Sequence, residues 1–182
     1  MYIMIKEFVT MVSFFMIFLS ISYFDNSYGQ NINNYERGIE LHKEGKLVDA
    51  IRHYDQELSI NPNNVDALYN KGLALAHLER YNEAITYYDK ALEIDPNELD
   101  ALNNKALALN RLDRHEEAIA EYDKALEIDP NDVDVLNNKA LTFNNLDRHE
   151  EAIAEYDKAL EIDPNNAKIL DNKRLTLDFL GR

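Results

Sequence analysis

The residues most able to do chemistry are few. His115 and His149 each open the string His-Glu-Glu-Ala-Ile. A zinc-binding HExxH helix needs its second histidine where this chain has Ile119 and Ile153. Tyr81 takes the same place one unit earlier, so the spacing points to packing at a turn rather than to metal. Gly38, Gly45 and Lys46 resemble fragments of a phosphate-binding loop, but six residues separate the glycines where four are needed. Ser59 is the one serine after the N-terminal segment and has no nucleophile-elbow context. The chain has no cysteine, which excludes disulfides, thiolate metal sites and a cysteine nucleophile. Carboxylates abound, yet nothing sets two of them in a dry cleft where their pKa values would separate. The reading is therefore of a non-catalytic chain, with no cofactor and no metal.

Composition narrows the partner. Among 182 residues there are 34 acidic and 19 basic side chains, a net charge of −15. Nucleic-acid binding rests on neutralising phosphates, so this balance speaks against it. With 46% hydrophobic and 29% charged residues, the chain can build a core and is not disordered throughout.

Phe8 to Phe24 is an uncharged run of 17 residues, closed by Asp25 and preceded by Lys6. It is short for a membrane span, which takes roughly 20 residues. Ser27 and Gly29 are small and two apart, the spacing a signal peptidase tests. Residues 1–29 are read as a secretory signal peptide, an uncleaved anchor with the remainder outside, or a buried or interfacial helix. Its aromatic and β-branched richness disfavours the last. The expected location is secreted or extracytoplasmic, with membrane contact through residues 1–29 only.

The prolines mark the chain's period. Pro62, Pro96, Pro130 and Pro164 are each 34 residues apart. Such a period takes precedence over any local reading. It divides the chain into blocks 31–64, 65–98, 99–132 and 133–166, with a half-block at 167–182. The third and fourth blocks differ at six of 34 positions. In the third, Leu102, Ala106, Leu109 and Leu112 recur on one helical face, and Ala118, Ile119, Tyr122, Ala125 and Leu126 form a second stripe. Leu-Asp-Arg-His turns between them, and Asp-Pro-Asn stops the second helix because proline lacks the next donor. Small residues recur at 38, 72, 106 and 140, at 50, 84, 118 and 152, and at 91, 125 and 159, so helix axes can approach closely. Tyr54, Tyr88, Tyr122 and Tyr156 then fill the gaps.

With Leu41, Leu75, Leu109 and Phe143, these positions resemble the tetratricopeptide repeat (TPR) family over residues 31–182. The resemblance implies an all-α fold: a right-handed TPR superhelix, an α-solenoid of four helix-turn-helix repeats plus a C-terminal capping helix. There are departures. Asn34, Leu68, Leu102 and Leu136 replace the family's tryptophan. Arg37, Lys71, Lys105 and Lys139 replace the leucine before the small residue, and Glu57 replaces a small residue.

In such a superhelix the first helix of each repeat lines the concave side. Its face opposite the core carries Asp66, Asn70, Leu73 and His77; then Asp100, Asn104, Leu107 and Arg111; then Asp134, Asn138, Leu141 and Asn145. The last helix continues with Lys168, Asn172, Leu175 and Phe179. A carboxamide both donates and accepts, so Asn70, Asn104, Asn138 and Asn172 could hold a peptide backbone without reading its side chains. The row resembles the asparagine ladder of O-linked N-acetylglucosamine transferases, although no transferase domain follows. Asparagine could equally solvate the groove or bond to the neighbouring helix, and the leucines could equally pack between first helices. The pattern of a clamp for C-terminal carboxylates fails: of Tyr35, Ile39, Asn70, Asp100 and Asn104, only Asn70 agrees. The aspartates favour a neutral or basic partner. The expected function is a protein-interaction module that holds a partner's peptide as scaffold or assembly factor outside the cytoplasmic membrane. The alternatives are a self-associating structural protein and an accessory subunit of an enzyme complex.

Overall fold

The 34-residue period becomes a chain of helix pairs. The computed structural model describes residues 34–181. The Phe8–Phe24 run, and with it the choice between signal peptide and anchor, lies outside them. The chain divides at Pro62/Asn63 into two compact units. The first holds α1, residues 34–43, and α2, Leu47–Ile60. The second holds α3 (Val65–His77), α4 (Tyr81–Ile94), α5 (Leu99–Arg111), α6 (His115–Ile128), α7 (Val133–Asn145), α8 (His149–Ile162) and α9 (Ala167–Phe179). The described residues thus form nine helices and no strand, an all-α solenoid. None of these helices is long and apolar enough to cross a membrane.

Each helix start and stop has a local cause. Asn64, Asp132 and Asn166 cap α3, α7 and α9 by accepting from the backbone N–H three residues on, at 3.0, 2.9 and 3.3 Å. The second helices lack such a cap. There Arg80, Arg114 and Arg148 instead pair with Glu83, Glu117 and Glu151 in the first turn. The turns between paired helices pass through left-handed backbone at Glu79, Asp113 and Asp147, with φ of 61°, 58° and 57°. In each, the following arginine N–H returns to a carbonyl of the first helix: Arg80 to Leu75, Arg114 to Leu109 and Arg148 to Phe143. Gly45 occupies this place in the first unit, with φ of 75°.

Within the second unit each helix packs on the next, and the first helices touch in sequence, α3 to α5 to α7 to α9. Ala84, Ala118 and Ala152 are fully buried, as are Ala91, Ala125 and Ala159. Tyr88, Tyr122 and Tyr156 fill the space these alanines leave. Burying each ring contributes roughly 2–3 kcal/mol before the cost of its hydroxyl. At the far end α9 covers α8 with Ile169 and Thr176. Its other face turns polar: Arg174, paired with Asp171, stands where Ala106 and Ala140 are buried. Leu170 is 46% exposed where Leu136 is 2%.

Candidate functional site: the face of the first helices

The face presented by α3, α5, α7 and α9 carries the residues singled out in the sequence. Asp66, Asp100 and Asp134 are exposed at the N-terminal end of each helix. Leu107 and Leu141 are each 37% exposed and Leu175 54%, while Leu73 is half-buried. Asn70, Asn104, Asn138 and Asn172 are half-buried between these rows. Each of the four leucines lies one helical turn from its asparagine, so a single face presents acidic, amide and apolar rows side by side.

The amides are engaged within the array. Asn104 Nδ2 donates to Tyr69 Oη on α3 at 3.2 Å. Asn138 Nδ2 donates to Asn103 Oδ1 on α5 at 3.3 Å, and Asn172 Nδ2 to Asn137 Oδ1 on α7 at 2.9 Å. Asn70 and Asn104 also donate to the Asp66 and Asp100 carbonyls at 2.9 and 2.8 Å. Asn104, Asn138 and Asn172 therefore tie α5, α7 and α9 each to the preceding first helix and fix their register. An amide with two N–H donors and a two-lone-pair oxygen can do this and still bond once more. Burial, followed by the charges of Asp100 and Glu98, pushes the Tyr69 phenol up to about 12.

A second layer of polar contacts was not foreseen from the sequence. Lys105 Nζ meets Asp89 on α4 at 2.7 Å and Glu121 on α6 at 3.0 Å. Lys139 repeats this with Asp123 at 2.7 Å and Glu155 at 3.0 Å. Lys173 pairs with Asp157, and Lys71, buried, donates to Tyr87 Oη at 2.6 Å. Burial works against the charges on Lys105 and Lys139, but the bonds to their carboxylates outweigh it and hold both above the usual lysine range. Lys105 and Lys139, which replace the family's leucine, are thus clasps between successive hairpins, while Lys71 bonds within its own. The signal was present as acids 16 residues on either side of Lys105 and of Lys139.

His115 and His149 also have structural partners. Their Nδ1 atoms lie 2.9 and 3.0 Å from the carboxamide oxygens of Asn110 and Asn144. The Nδ2 groups of those asparagines donate to Thr142 and Thr176 in the next hairpin, at 2.5 and 2.8 Å. Among the described residues no three His, Asp or Glu side chains are grouped to hold a metal ion.

The tetratricopeptide repeat profile matches residues 65–98, 99–132 and 133–166, and a TPR repeat profile matches 38–78. The chain belongs to the tetratricopeptide repeat family. TPR units are protein-interaction modules, and that is the general class of function membership supports. No curated protein matches the sequence. Several solved TPR structures share the fold. A crystal structure of MamA aligns with a TM-score of 0.77 at 23% identity, covering 84% of this chain and 83% of MamA. MamA from Desulfovibrio magneticus gives 0.73 at 21% identity, with 84% and 92% covered. A TPR protein from Parabacteroides merdae gives 0.72 at 23% identity, with 82% and 62% covered. At these identities the likeness speaks to fold alone.

Proposed function

We propose that this TPR chain is a non-catalytic interaction module that holds a peptide segment of a partner protein along the face of α3, α5, α7 and α9. The observation that carries the reading is the set of leucines left exposed on that face beside amides and carboxylates. Leu107, Leu141 and Leu175 form a row on one face rather than scattered single positions. Their exposure leaves an apolar strip flanked by polar groups, the usual form of a peptide-accepting surface. The amides bind backbone, the leucines receive apolar side chains, and Asp66, Asp100 and Asp134 favour a neutral or basic segment. The Phe8–Phe24 run supports a location outside the cytoplasmic membrane, as scaffold or assembly factor. Mass spectrometry of the mature N-terminus tests that part, with cleavage after Gly29 or an intact anchor both agreeing and a soluble uncleaved cytoplasmic chain opposing it.

The groove is tested by screening a peptide array with the native chain and with Leu107→Ser/Leu141→Ser. The reading expects a shared set of peptides, poor in acids, whose signal drops about tenfold in the variant while helicity holds. Unchanged signal in a folded variant would contradict it.

A further inference from the structure

One end of this face is built unlike the rest. The last position of the first-helix row is His77, Arg111 and Asn145 in turn, and then Phe179. Phe179 is 79% exposed, one turn beyond Leu175 at 54%. Its ring lies flat on the His149 imidazole, with centroids 5.6 Å apart and planes 8° from parallel. His149 is held in turn by Asn144 at 3.0 Å, and Asn144 by Thr176 at 2.8 Å and Tyr156 at 3.3 Å. The His149 ring against which Phe179 stacks is therefore held in place before anything binds, which lowers the ordering cost of association.

Leu141, Leu175 and Phe179 wall an open cavity of about 340 Å³. That is the lower end of ligand-pocket sizes, room for one large side chain. Its floor consists of Asn144, Tyr156 and Thr176, whose side chains bond to one another, and of Asn172, whose Nδ2 donates to Asn137 on α7. The floor thus selects by shape and apolarity. One carboxylate stands at the rim: Asp147 lines the mouth with its side chain 96% exposed.

We infer that this cavity is an anchor pocket for a large apolar side chain, flanked by lysine or arginine, in the partner's segment. The inference rests on the groove reading above and names the residue type that fixes the peptide's position on it. Exposed aromatic and leucine walls drive insertion of an apolar side chain, and Asp147 at the mouth, on a chain of net charge −15, attracts basic neighbours and repels acidic ones.

The test is fluorescence anisotropy on the 182-residue chain. Three dye-labelled probes are used: one phenylalanine between lysine pairs, the same peptide with alanine for phenylalanine, and phenylalanine between glutamate pairs. The first should bind about tenfold more tightly than either other peptide. Phe179→Ser, at an exposed position, should erase the preference for phenylalanine over alanine with circular dichroism unchanged. Leu107→Ser reports on the groove away from the pocket. Binding unchanged by Phe179→Ser but weakened by Leu107→Ser overturns the pocket and leaves the groove reading standing. Binding unchanged by both, or absent for all three probes, overturns both. Sedimentation velocity supplies the remaining check: a concentration-dependent dimer abolished by Phe179→Ser would mean that a second copy fills the pocket, and would also overturn the inference.

Discussion

Tyr88 and Tyr122 occupy equivalent places in successive hairpins and differ in one bond. Asn110 donates to Tyr122 Oη at 3.4 Å, and Asn144 to Tyr156 Oη at 3.3 Å. The corresponding residue in the hairpin of Tyr88 is Ala76, and the buried Tyr88 hydroxyl has no partner among the described residues. The Tyr88 ring instead lies close to α3: a Cβ added at Gly72 would meet its Cε1 at 2.6 Å. That explains glycine at 72 where alanine suffices at 106 and 140, and Tyr69 packs alongside with ring centroids 6.1 Å apart. Removing an unpaired buried hydroxyl releases a desolvation cost, whereas removing a paired one strands its donor. Tyr88→Phe should therefore leave stability unchanged or raise it, while Tyr122→Phe should lower it by about 0.5–1.5 kcal/mol. Urea unfolding of the two variants makes the comparison. The small-residue rows and the tyrosines were legible in the sequence because repetition displayed them. The difference between Ala76 and Asn110 was visible too, but its consequence depends on where a ring sits, which spacing does not give.

At the scale of elements, the lysine clasps decide how hairpins register. Lys105 has a side chain only 16% exposed, and Glu121 one only 10% exposed. Losing Lys105 takes one of two lysines from Glu121, which keeps the more exposed Lys124 at 3.0 Å, and takes its partner from Asp89, while replacing both Lys105 and Glu121 with apolar groups removes the desolvation cost of the buried pair. Lys105→Leu should cost about 1–3 kcal/mol, and adding Glu121→Leu should recover most of that loss. A double-mutant cycle by thermal or chemical unfolding reads the coupling. Additive losses would mean that the clasp contributes nothing. The helix pairs themselves were legible, since periodic apolar faces, Asp-Pro-Asn stops and short turns all agree. The clasps were not, because a lysine in place of a core leucine reads as a defect until its partners on α4 and α6 are brought near. The asparagine row shows the same limit. Its one-face placement followed from helical spacing, but its bonds to the preceding helix required the angle between α5 and α7.

For the whole molecule, acidity and buried phenols set opposite ends of one pH scale. Burial pushes Tyr69 and Tyr156 up to about 12, and it raises Tyr88 and Tyr122 as well. In the unfolded chain phenols ionise near pH 10, so the unfolded state releases protons first. The stabilisation is complete below about pH 10 and disappears as pH rises through about 12. The raised lysines act in the same direction, because their clasps persist only while they are charged. An alkaline titration should show part of the phenolate absorbance arriving together with loss of helical circular dichroism. Complete phenolate formation with helices intact would oppose this account of the core. The chain already carries a net charge of −15 near neutral pH, so each phenolate and each neutralised lysine adds to its self-repulsion.

The most direct measurement is methyl and side-chain-amide NMR during titration with the strongest peptide from the array. The account predicts shifts of the Leu107, Leu141 and Leu175 methyls and of the Asn104 and Asn138 amides, with Leu126 and Leu160 on α6 and α8 unmoved. Shifts concentrated at Leu126 and Leu160, with the first-helix face silent, would contradict it.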